Sequence, residues 1–294
     1  TAMLAPFMPC GAKLPVIGLF AGAFFPDAAW VGTAMYFSGI IIILLGALLI
    51  KKITGSRKKS FFIIELPEYK APSFWRAFKS MCSRGWAYIV KAGTIILVCN
   101  FIIYMMQNFS WSFQMVEDPN ASILATIGTP VAYVIAPIVG VVAWQLAAAA
   151  ITGFIAKENV VGTLAVCYAA SSLTNADIVG VNSSGETVAI TSVAALAYLM
   201  FNLYSPPCFA AIGAMNAEMK SGKWVWGGIG LQLAVGYTVA YLIYTVGTLI
   251  TAPASLNVTA AIIGLVAIAL MVAFVCGIIV KNNKKMKAEY ALSK

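Results

Sequence analysis

Two segments of this chain place a Pro-Cys pair inside an apolar run: PFMPCGAKLP (residues 6–15), which contains Cys10, and YSPPCFAAIG (residues 204–213), which contains Cys208. A proline within a membrane helix leaves a backbone carbonyl without its N–H partner, and such a break is tolerated where the backbone lines a cavity or is buried in protein. A cysteine thiolate beside the break is a soft ligand, which suits late first-row divalent metals better than Mg²⁺ or Ca²⁺. If the two breaks face each other, Cys10 and Cys208 are candidate ligands of a divalent metal.

The other sulfur-containing residues have simpler interpretations. A lone cysteine in a membrane helix is usually a small packing residue, and Cys99, Cys167 and Cys276 lie in uninterrupted apolar sequence. Met8 and Met215, close to the Pro-Cys pairs, are further candidate ligands through their thioether sulfur, with packing as the alternative. The six cysteines show no disulfide spacing and the chain has no histidine, so a metal site must use sulfur, carboxylate, amide or backbone carbonyl.

Charged residues beside apolar runs form a second group of candidates. Lys157 and Glu158 lie between two apolar runs in FIAKENVVGTL (residues 154–164), and a charge within a membrane segment usually faces the bundle interior and is a functional candidate. The alternatives are an internal Lys–Glu pair and a cytoplasmic turn with a snorkelling lysine. Glu158 and Glu218 are further candidate metal ligands, and the alternative for Glu218 is that it only begins a cytoplasmic turn.

The sequence lacks the motifs of two common kinds of catalytic site. SGKW (residues 221–224) contains a Gly-Lys pair, but Ala217 stands at the earlier glycine position and Trp224 replaces Ser or Thr, so it is not a P-loop. A Ser-His or Cys-His pair cannot form because histidine is absent. We therefore do not expect this chain to be an enzyme.

The composition indicates what kind of scaffold must position these residues. The chain is 61% hydrophobic and 10% charged, with a mean hydropathy of +0.90, whereas soluble domains are about 25% charged. Several apolar stretches reach the roughly 20 residues that a helix needs to cross the bilayer. The expected fold is an all-α polytopic transmembrane bundle with broken or half helices, not a transmembrane β-barrel.

Basic residues cluster in a few short segments, which predicts the orientation. The net charge of +9 comes largely from residues 51–60, 220–223 and 281–287, whereas loops 107–120, 171–187 and 251–259 contain no Lys or Arg. The positive-inside rule places the first set in the cytoplasm, together with the C-terminus, and the second set outside. The charge therefore needs no nucleic-acid partner, and none is expected.

These markers order the predicted segments along the chain. Residues 61–84 have an apolar face and a basic face, which predicts an interfacial helix or a loop packed on a cytoplasmic domain. Residues 121–156 contain two prolines and predict a short outer helix followed by a proper span. The remaining predicted segments are residues 14–25, 28–50, 86–106, 157–170, 188–219, 224–250 and 260–280.

The order gives the two Pro-Cys motifs opposite directions. If residues 157–170 count as a crossing, residues 14–25 run outward while residues 188–219 run inward. Inverted repeats built around broken helices are a recurring transporter design, with the substrate site near the midplane between them. We expect inverted repeats here.

Five motifs together resemble one family. PFMPCGAKLPV, ELPEYKAP (residues 65–72), KAGTIIL (91–97), GFIAKENVVGTL (153–164) and PCFAAIGAMNAE (207–218) are similar to the membrane domain of ferrous iron transport protein B. They occur in that family's order and cover nearly the whole chain. The resemblance implies a ferrous iron importer of the bacterial cytoplasmic membrane, with Fe²⁺ as substrate moving inward through a cysteine-lined gate.

The resemblance also assigns residues and partners. Cys10 and Cys208 correspond to gate cysteines, and Lys13 and Lys157 to gate charges. It implies a GTP-binding domain, carrying GTP and Mg²⁺, on the N-terminal side; because this chain starts at Thr1, before a full crossing, we expect it to be the C-terminal portion of a longer polypeptide. Further implied partners are the lipid bilayer, the small ferrous iron transport protein A and a homo-oligomer. No resident cofactor is expected in this chain.

The longest cytoplasmic loop is expected to couple the two domains. ELPEYKAP supplies Glu65, Glu68 and Lys70 ahead of a basic amphipathic stretch, and we expect these three residues to face the GTP-binding domain.

The resemblance divides the chain into five regions. They are the end of the first gate region with the following helix (1–60), the cytoplasmic interfacial linker (61–84), a transmembrane helix with its outside loop (85–120), the second gate region (121–223), and the C-terminal helices with the basic tail (224–294).

Two alternatives stay open at this point. Sulfur ligation does not distinguish Fe²⁺ from Mn²⁺ or Zn²⁺, because affinity follows the Irving–Williams order. The other alternative is a membrane scaffold that transports nothing, in which the prolines only shape the packing of the helices.

Overall fold

The structure is a computed structural model that describes residues 3–25, 30–54, 73–116, 118–168, 178–181, 186–219 and 222–251, together with scattered positions between 262 and 273. Within these residues the α-helices are α1 (Leu14–Phe24), α2 (Trp30–Thr54), α3 (Phe74–Asn108), α4 (Ile123–Val139), α5 (Trp144–Ile155), α6 (Asn159–Cys167), α7 (Ser192–Tyr204), α8 (Phe209–Met219) and α9 (Gly222–Thr251). A small antiparallel hairpin pairs β1 (Val179–Val181) with β2 (Thr187–Ala189).

Four helical segments of the described part are long and apolar enough to cross a membrane: Ala5–Phe24, Trp30–Leu48, Ser192–Met219 and Trp224–Thr251. Helices dominate and the only sheet found in the described ranges has two strands. The prediction of an all-α, multi-pass membrane protein is confirmed.

Helix α3 runs without interruption through the predicted boundary at residue 85. It continues for 35 residues from Phe74 to Asn108, so the prediction of a separate interfacial helix before a span at 86–106 is wrong for residues 74–106. Gly85 has nothing within 4 Å of where a side chain would start. A single glycine costs a helix only about 1 kcal/mol relative to alanine, which does not end it.

The predicted division of residues 121–156 into two helices is confirmed, but glycine rather than proline makes the division. Pro130 and Pro137 lie inside α4, which ends at Gly140 in the left-handed conformation (φ 81°). The first residue of α4, Ile123, donates its N–H to the carbonyl of Phe109, directly after α3 (3.1 Å). Gly140, at the other end, packs against Tyr244 of α9. The start of α4 therefore lies beside the end of α3, which the charge pattern assigns to the outside, whereas its other end lies beside Tyr244, within α9.

Helices α5 and α6 form an antiparallel hairpin, with Lys157 and Glu158 at its tip. The hydroxyls of Thr152 and Thr163 are hydrogen-bonded (2.9 Å), and Cys167, at the end of α6, packs against Ala148 in α5. Helix α6 has nine residues and α5 has 12, so each is about 18 Å long or shorter, against roughly 30 Å of hydrocarbon.

The predicted proper span before residue 157 and the predicted crossing by residues 157–170 are therefore wrong. The two segments enter and leave at the same end of the bundle as one re-entrant hairpin. Because entering and leaving changes the direction of the chain twice, residues 188–219 keep the direction that was predicted for them.

Helices α1 and α7 are antiparallel neighbours in the core. Lys13, just before α1, reaches the carbonyl of Leu203 near the end of α7, and the Phe20 ring packs on Tyr198 at 5.6 Å between centroids. Phe20 and Tyr198 are almost completely buried. The predicted opposite directions of the two segments are thus confirmed, whereas the wider inverted repeat stays a prediction.

Candidate functional site

The second Pro-Cys motif divides one apolar membrane segment into two helices, α7 and α8. Helix α7 ends at Tyr204, Ser205 is extended (φ −63°, ψ 163°), and α8 begins at Phe209. In a continuing helix, the N–H groups of residues 206 and 207 would bond the carbonyls of residues 202 and 203. Both positions are proline, which has no N–H. The carbonyls of Asn202 and Leu203 must therefore find other donors or remain unsatisfied.

Two buried lysines provide those donors. Lys157 Nζ donates to the Asn202 carbonyl at 3.0 Å, to Ser205 Oγ at 2.7 Å and to Asn202 Oδ1 at 3.3 Å. Lys13 Nζ donates to the Leu203 carbonyl at 2.6 Å and to the Pro6 carbonyl at 2.9 Å. The side chains are only 3% and 5% exposed, respectively. Each carbonyl that a proline leaves free is thus bonded to one ammonium group.

These contacts decide between the interpretations of Lys157. The hydrogen-bond partners of its ammonium group lie at the end of α7, and Lys157 is buried while Glu158 is exposed. The ammonium also lies 5.6 Å from the centre of the Phe154 ring. A cytoplasmic turn and an internal Lys157–Glu158 pair are both incorrect descriptions.

The first Pro-Cys motif is also non-helical. Short 3₁₀ turns, Ala5–Phe7 and Gly11–Lys13, lie on either side of it, and Cys10 is extended (φ −94°, ψ 166°). Helix α2 approaches closely, because a Cβ on Gly39 would lie 3.2 Å from the Phe7 carbonyl oxygen and 3.3 Å from the Pro9 ring. Glycine at position 39 therefore permits the break to pack on α2.

The two motifs line one cavity of about 470 Å³. Its walls include Cys10 and Cys208, the thioether residues Met8 and Met215, the carboxylate Glu218, and the two capping residues Lys13 and Lys157. Cys10 is exposed and Cys208 is partly buried, so both thiols are accessible from the cavity. Four sulfur atoms and one carboxylate from distant parts of the sequence meet around a single space.

The structure thus brings together most of the residues that the sequence singled out. Glu158 is the exception, because it is exposed at the start of α6 and does not line the cavity. Glu65, Glu68, Lys70 and Cys276 lie outside the described residues. No group of three or more His, Cys, Asp or Glu side chains with a metal-binding arrangement occurs in the described part of the chain. The donors therefore form a loose set rather than a closed cage.

Sequence reasoning missed three buried polar residues near the cavity. Asn202 and Ser205 accept the Lys157 ammonium, as described above. Gln232 of α9 is 1% exposed; its Nε2 donates to the Met3 carbonyl at 3.0 Å and lies 4.0 Å from Met215 Sδ. The available signal was a lone amide within a long apolar run, which is costly in a membrane and therefore informative.

Comparisons with known proteins show which family the chain resembles. A family model described as "Ferrous iron transport protein B C terminus" matches residues 33–84, and the Gate model, described as "Nucleoside recognition", matches residues 89–222. The protein named Fe(2+) transporter FeoB of Staphylococcus aureus (strain COL) is 30% identical over 250 residues, which cover 85% of this chain and 36% of the relative. The chain belongs to the FeoB family.

More distant organisms contain similar FeoB proteins. The Fe(2+) transporter FeoB of Methanocaldococcus jannaschii is 29% identical over 258 residues, covering 85% of this chain and 37% of the relative. A fusion of Fe(2+) transport protein A with Fe(2+) transporter FeoB, from Porphyromonas gingivalis, is 29% identical over 293 residues, which cover 85% of this chain and 34% of the fusion protein. The chain spans little more than a third of the length of these FeoB relatives. No solved structure gives a significant match.

Proposed function

We propose that this chain is the membrane path of a Fe²⁺ importer in the bacterial cytoplasmic membrane, and that the ion passes through the cavity between the two Pro-Cys motifs. The observation that carries the proposal is the meeting of Cys10 and Cys208 at one cavity, although about two thirds of the chain separates them in sequence. The relatives named Fe(2+) transporter FeoB support iron as the substrate.

The donors of the cavity suit an ion that must bind and then leave. When they bind a metal, the thiols of Cys10 and Cys208 lose their protons and add negative charge beside Glu218, while Met8 and Met215 add soft thioether sulfur. The carbonyls at the end of α7 already accept from the lysines, and the two ammonium groups repel a cation in the same cavity. Binding is therefore weak, as conduction requires; a closed four-ligand site would retain the ion.

Coupling and partners complete the proposal. Because the chain spans little more than a third of its relatives, we assign GTP binding, with Mg²⁺, to a further domain of the same polypeptide. ELPEYKAP, with Glu65, Glu68 and Lys70, is proposed to face that domain. The Porphyromonas gingivalis fusion protein supports the small ferrous iron transport protein A as a partner. A homo-oligomer stays part of the proposal.

Replacing either motif cysteine by serine tests the proposal. Cys10→Ser and Cys208→Ser should each lower Fe²⁺ uptake by about tenfold or more, because even the loss of a group that merely orients a metal ligand costs a site about 10–100-fold in affinity. Serine is nearly isosteric, so expression should stay close to that of the parent. The measurement is radiolabelled Fe²⁺ uptake into vesicles that contain the complete transporter.

The matched controls are Cys99→Ser and Cys276→Ser, which should change uptake little. Four variants with the same uptake would contradict the role of the Pro-Cys cysteines and favour a scaffold. Parallel uptake of Mn²⁺ and Zn²⁺ decides the metal: a preference for either ion over Fe²⁺ would replace iron as the substrate.

A further inference from the structure

We propose that Lys13 and Lys157 are positioning residues that clamp the C-terminal end of α7 at two points and so hold the second Pro-Cys motif opposite the first. Only the purpose of this positioning, which is to hold Cys10 and Cys208 at a site for Fe²⁺, depends on the proposed function. Its hydrogen bonds belong to the folded chain, whether or not the cavity conducts iron.

The first step is the match between each lysine and a missing N–H. Two consecutive prolines free two consecutive carbonyls, those of Asn202 and Leu203. The Lys157 ammonium donates a hydrogen bond to the carbonyl of Asn202, and the Lys13 ammonium donates one to that of Leu203. These carbonyls lie at the C-terminal end of a helix, where the helix dipole also favours a cation.

The second step concerns the structural elements that carry the two lysines. Lys13 directly follows the first Pro-Cys motif and also donates to Pro6, so it ties that motif to α7. Lys157 lies at the tip of the α5–α6 hairpin, so it ties the hairpin to the same helix end. One helix end thus fixes two other elements, and the two Pro-Cys motifs receive a defined separation.

The third step is the strength of these bonds. Hydrogen bonds from a charged donor are the strong class, and a buried carbonyl that loses its partner is costly. The Asn202 carbonyl also accepts from the Ser205 hydroxyl at 3.1 Å, so the loss of Lys157 removes the charged donor but not every partner of that carbonyl. The side-chain amide of Asn202 is oriented for the clamp, because its Oδ1 accepts from Lys157 while its buried Nδ2 has no partner within the described part of the chain.

The consequence is mechanical. The end of α7 cannot move relative to the first motif or to the hairpin without breaking a buried, charge-assisted hydrogen bond. If the cavity opens during transport, one of the two lysines must release its carbonyl or the three elements must move together.

Thiol cross-linking between the two motifs tests the clamp without any metal. The parent for the test has Cys82, Cys99, Cys167 and Cys276 replaced by serine, so that Cys10 and Cys208 alone react with bis-methanethiosulfonate reagents of increasing length. The parent should cross-link with a narrow range of reagent lengths. Lys13→Met and Lys157→Met should each cross-link about tenfold more slowly with the best reagent and over a wider range of lengths.

The charge-conserving variants separate positioning from general stability. Lys13→Arg and Lys157→Arg keep a cationic donor and should recover most of the parental cross-linking, and the matched control Lys51→Met, at an exposed position of α2, should leave it unchanged. If a Met variant does not accumulate as a monodisperse protein, the cross-linking rate and length profile of the corresponding Arg variant are compared with those of the Lys51→Met control, and this comparison tests the clamp.

The proposal is overturned if both Met variants keep the parental length profile, or if the Arg variants behave as badly as variants without a cation. Uptake of Fe²⁺ by the Cys10 and Cys208 variants is measured separately. A chain that keeps the clamp but does not transport iron would refute the proposed function and leave the clamp intact.

Discussion

Gly236→Ala is the perturbation whose effect can be worked most directly from the structure, because α9 packs against the end of α7 at this glycine. A Cβ on Gly236 would lie 2.9 Å from the Ser205 nitrogen, and 3.0 Å and 3.1 Å from the carbonyl carbon and oxygen of Tyr204. Ordinary van der Waals contact begins near 3.4 Å. All three neighbours are backbone atoms, so none can rotate away.

The two helices must therefore separate by about 0.5 Å, which is a case of overpacking at about 1–3 kcal/mol. Alanine returns about 1 kcal/mol through its better helix propensity. The net expectation is a protein that is less stable than the parent by up to about 2 kcal/mol. Because the nitrogen of Ser205 donates the last hydrogen bond of α7 at 2.8 Å, the same displacement disturbs the helix end that the two lysines hold.

Equilibrium unfolding in mixed detergent micelles, followed by tryptophan fluorescence, measures the change in the free energy of unfolding. Gly230→Ala is the matched control on the same helix, since nothing lies within 4 Å of its Cβ position; it should be neutral or slightly stabilising. Equal stabilities for the two variants would refute the close approach of α9 to the break.

Two further predictions concern the orientation and the hairpin. With the native cysteines replaced by serine, a cysteine introduced at Gly55 should react with an impermeant thiol reagent only from the cytoplasm, and one at the exposed Met115 only from outside; the reverse pattern would contradict the charge-based topology. Thr163→Val removes the hydroxyl that accepts from Gln107 and is hydrogen-bonded to Thr152, and it should destabilise the protein by about 1 kcal/mol in the same unfolding assay. Thr94→Val, whose hydroxyl donates to a carbonyl of its own helix, is the control, and an equal loss there would argue against the contacts of Thr163 with α3 and α5.

The candidate site could be found from the sequence because its residue types are unusual in a membrane. Proline, cysteine and charge interrupt apolar runs, and each interruption is costly enough to be informative without a structure. Cys10, Cys208 and Lys157 were all identified in this way and all line one cavity. Glu158 satisfied the same criterion but is exposed, because adjacent residues at a hairpin tip point in different directions and sequence position does not tell which of them faces inward.

Several elements were mispredicted because length and hydropathy are ambiguous for short segments. The hydropathy of an apolar run of 12 or nine residues is compatible both with a short transmembrane span and with half of a re-entrant hairpin. The contact between α5 and α6, seen in the hydrogen bond of Thr152 with Thr163, distinguishes the two. Similarly, the basic amphipathic pattern before residue 85 suggested a separate helix, whereas α3 continues because no residue there prevents it.

The sequence by itself determined that this chain is a multi-pass helical membrane protein with two breaks at Pro-Cys pairs, because hydropathy, charge and the missing N–H of proline are properties of the residues alone. Which donors satisfy the carbonyls that the prolines leave free was decided only by the tertiary structure. Lys13 lies 190 positions from Leu203 and Lys157 lies 45 positions from Asn202. No local pattern links such residues; they meet because α1 packs antiparallel to α7 and the α5–α6 hairpin turns back at the depth where α7 ends.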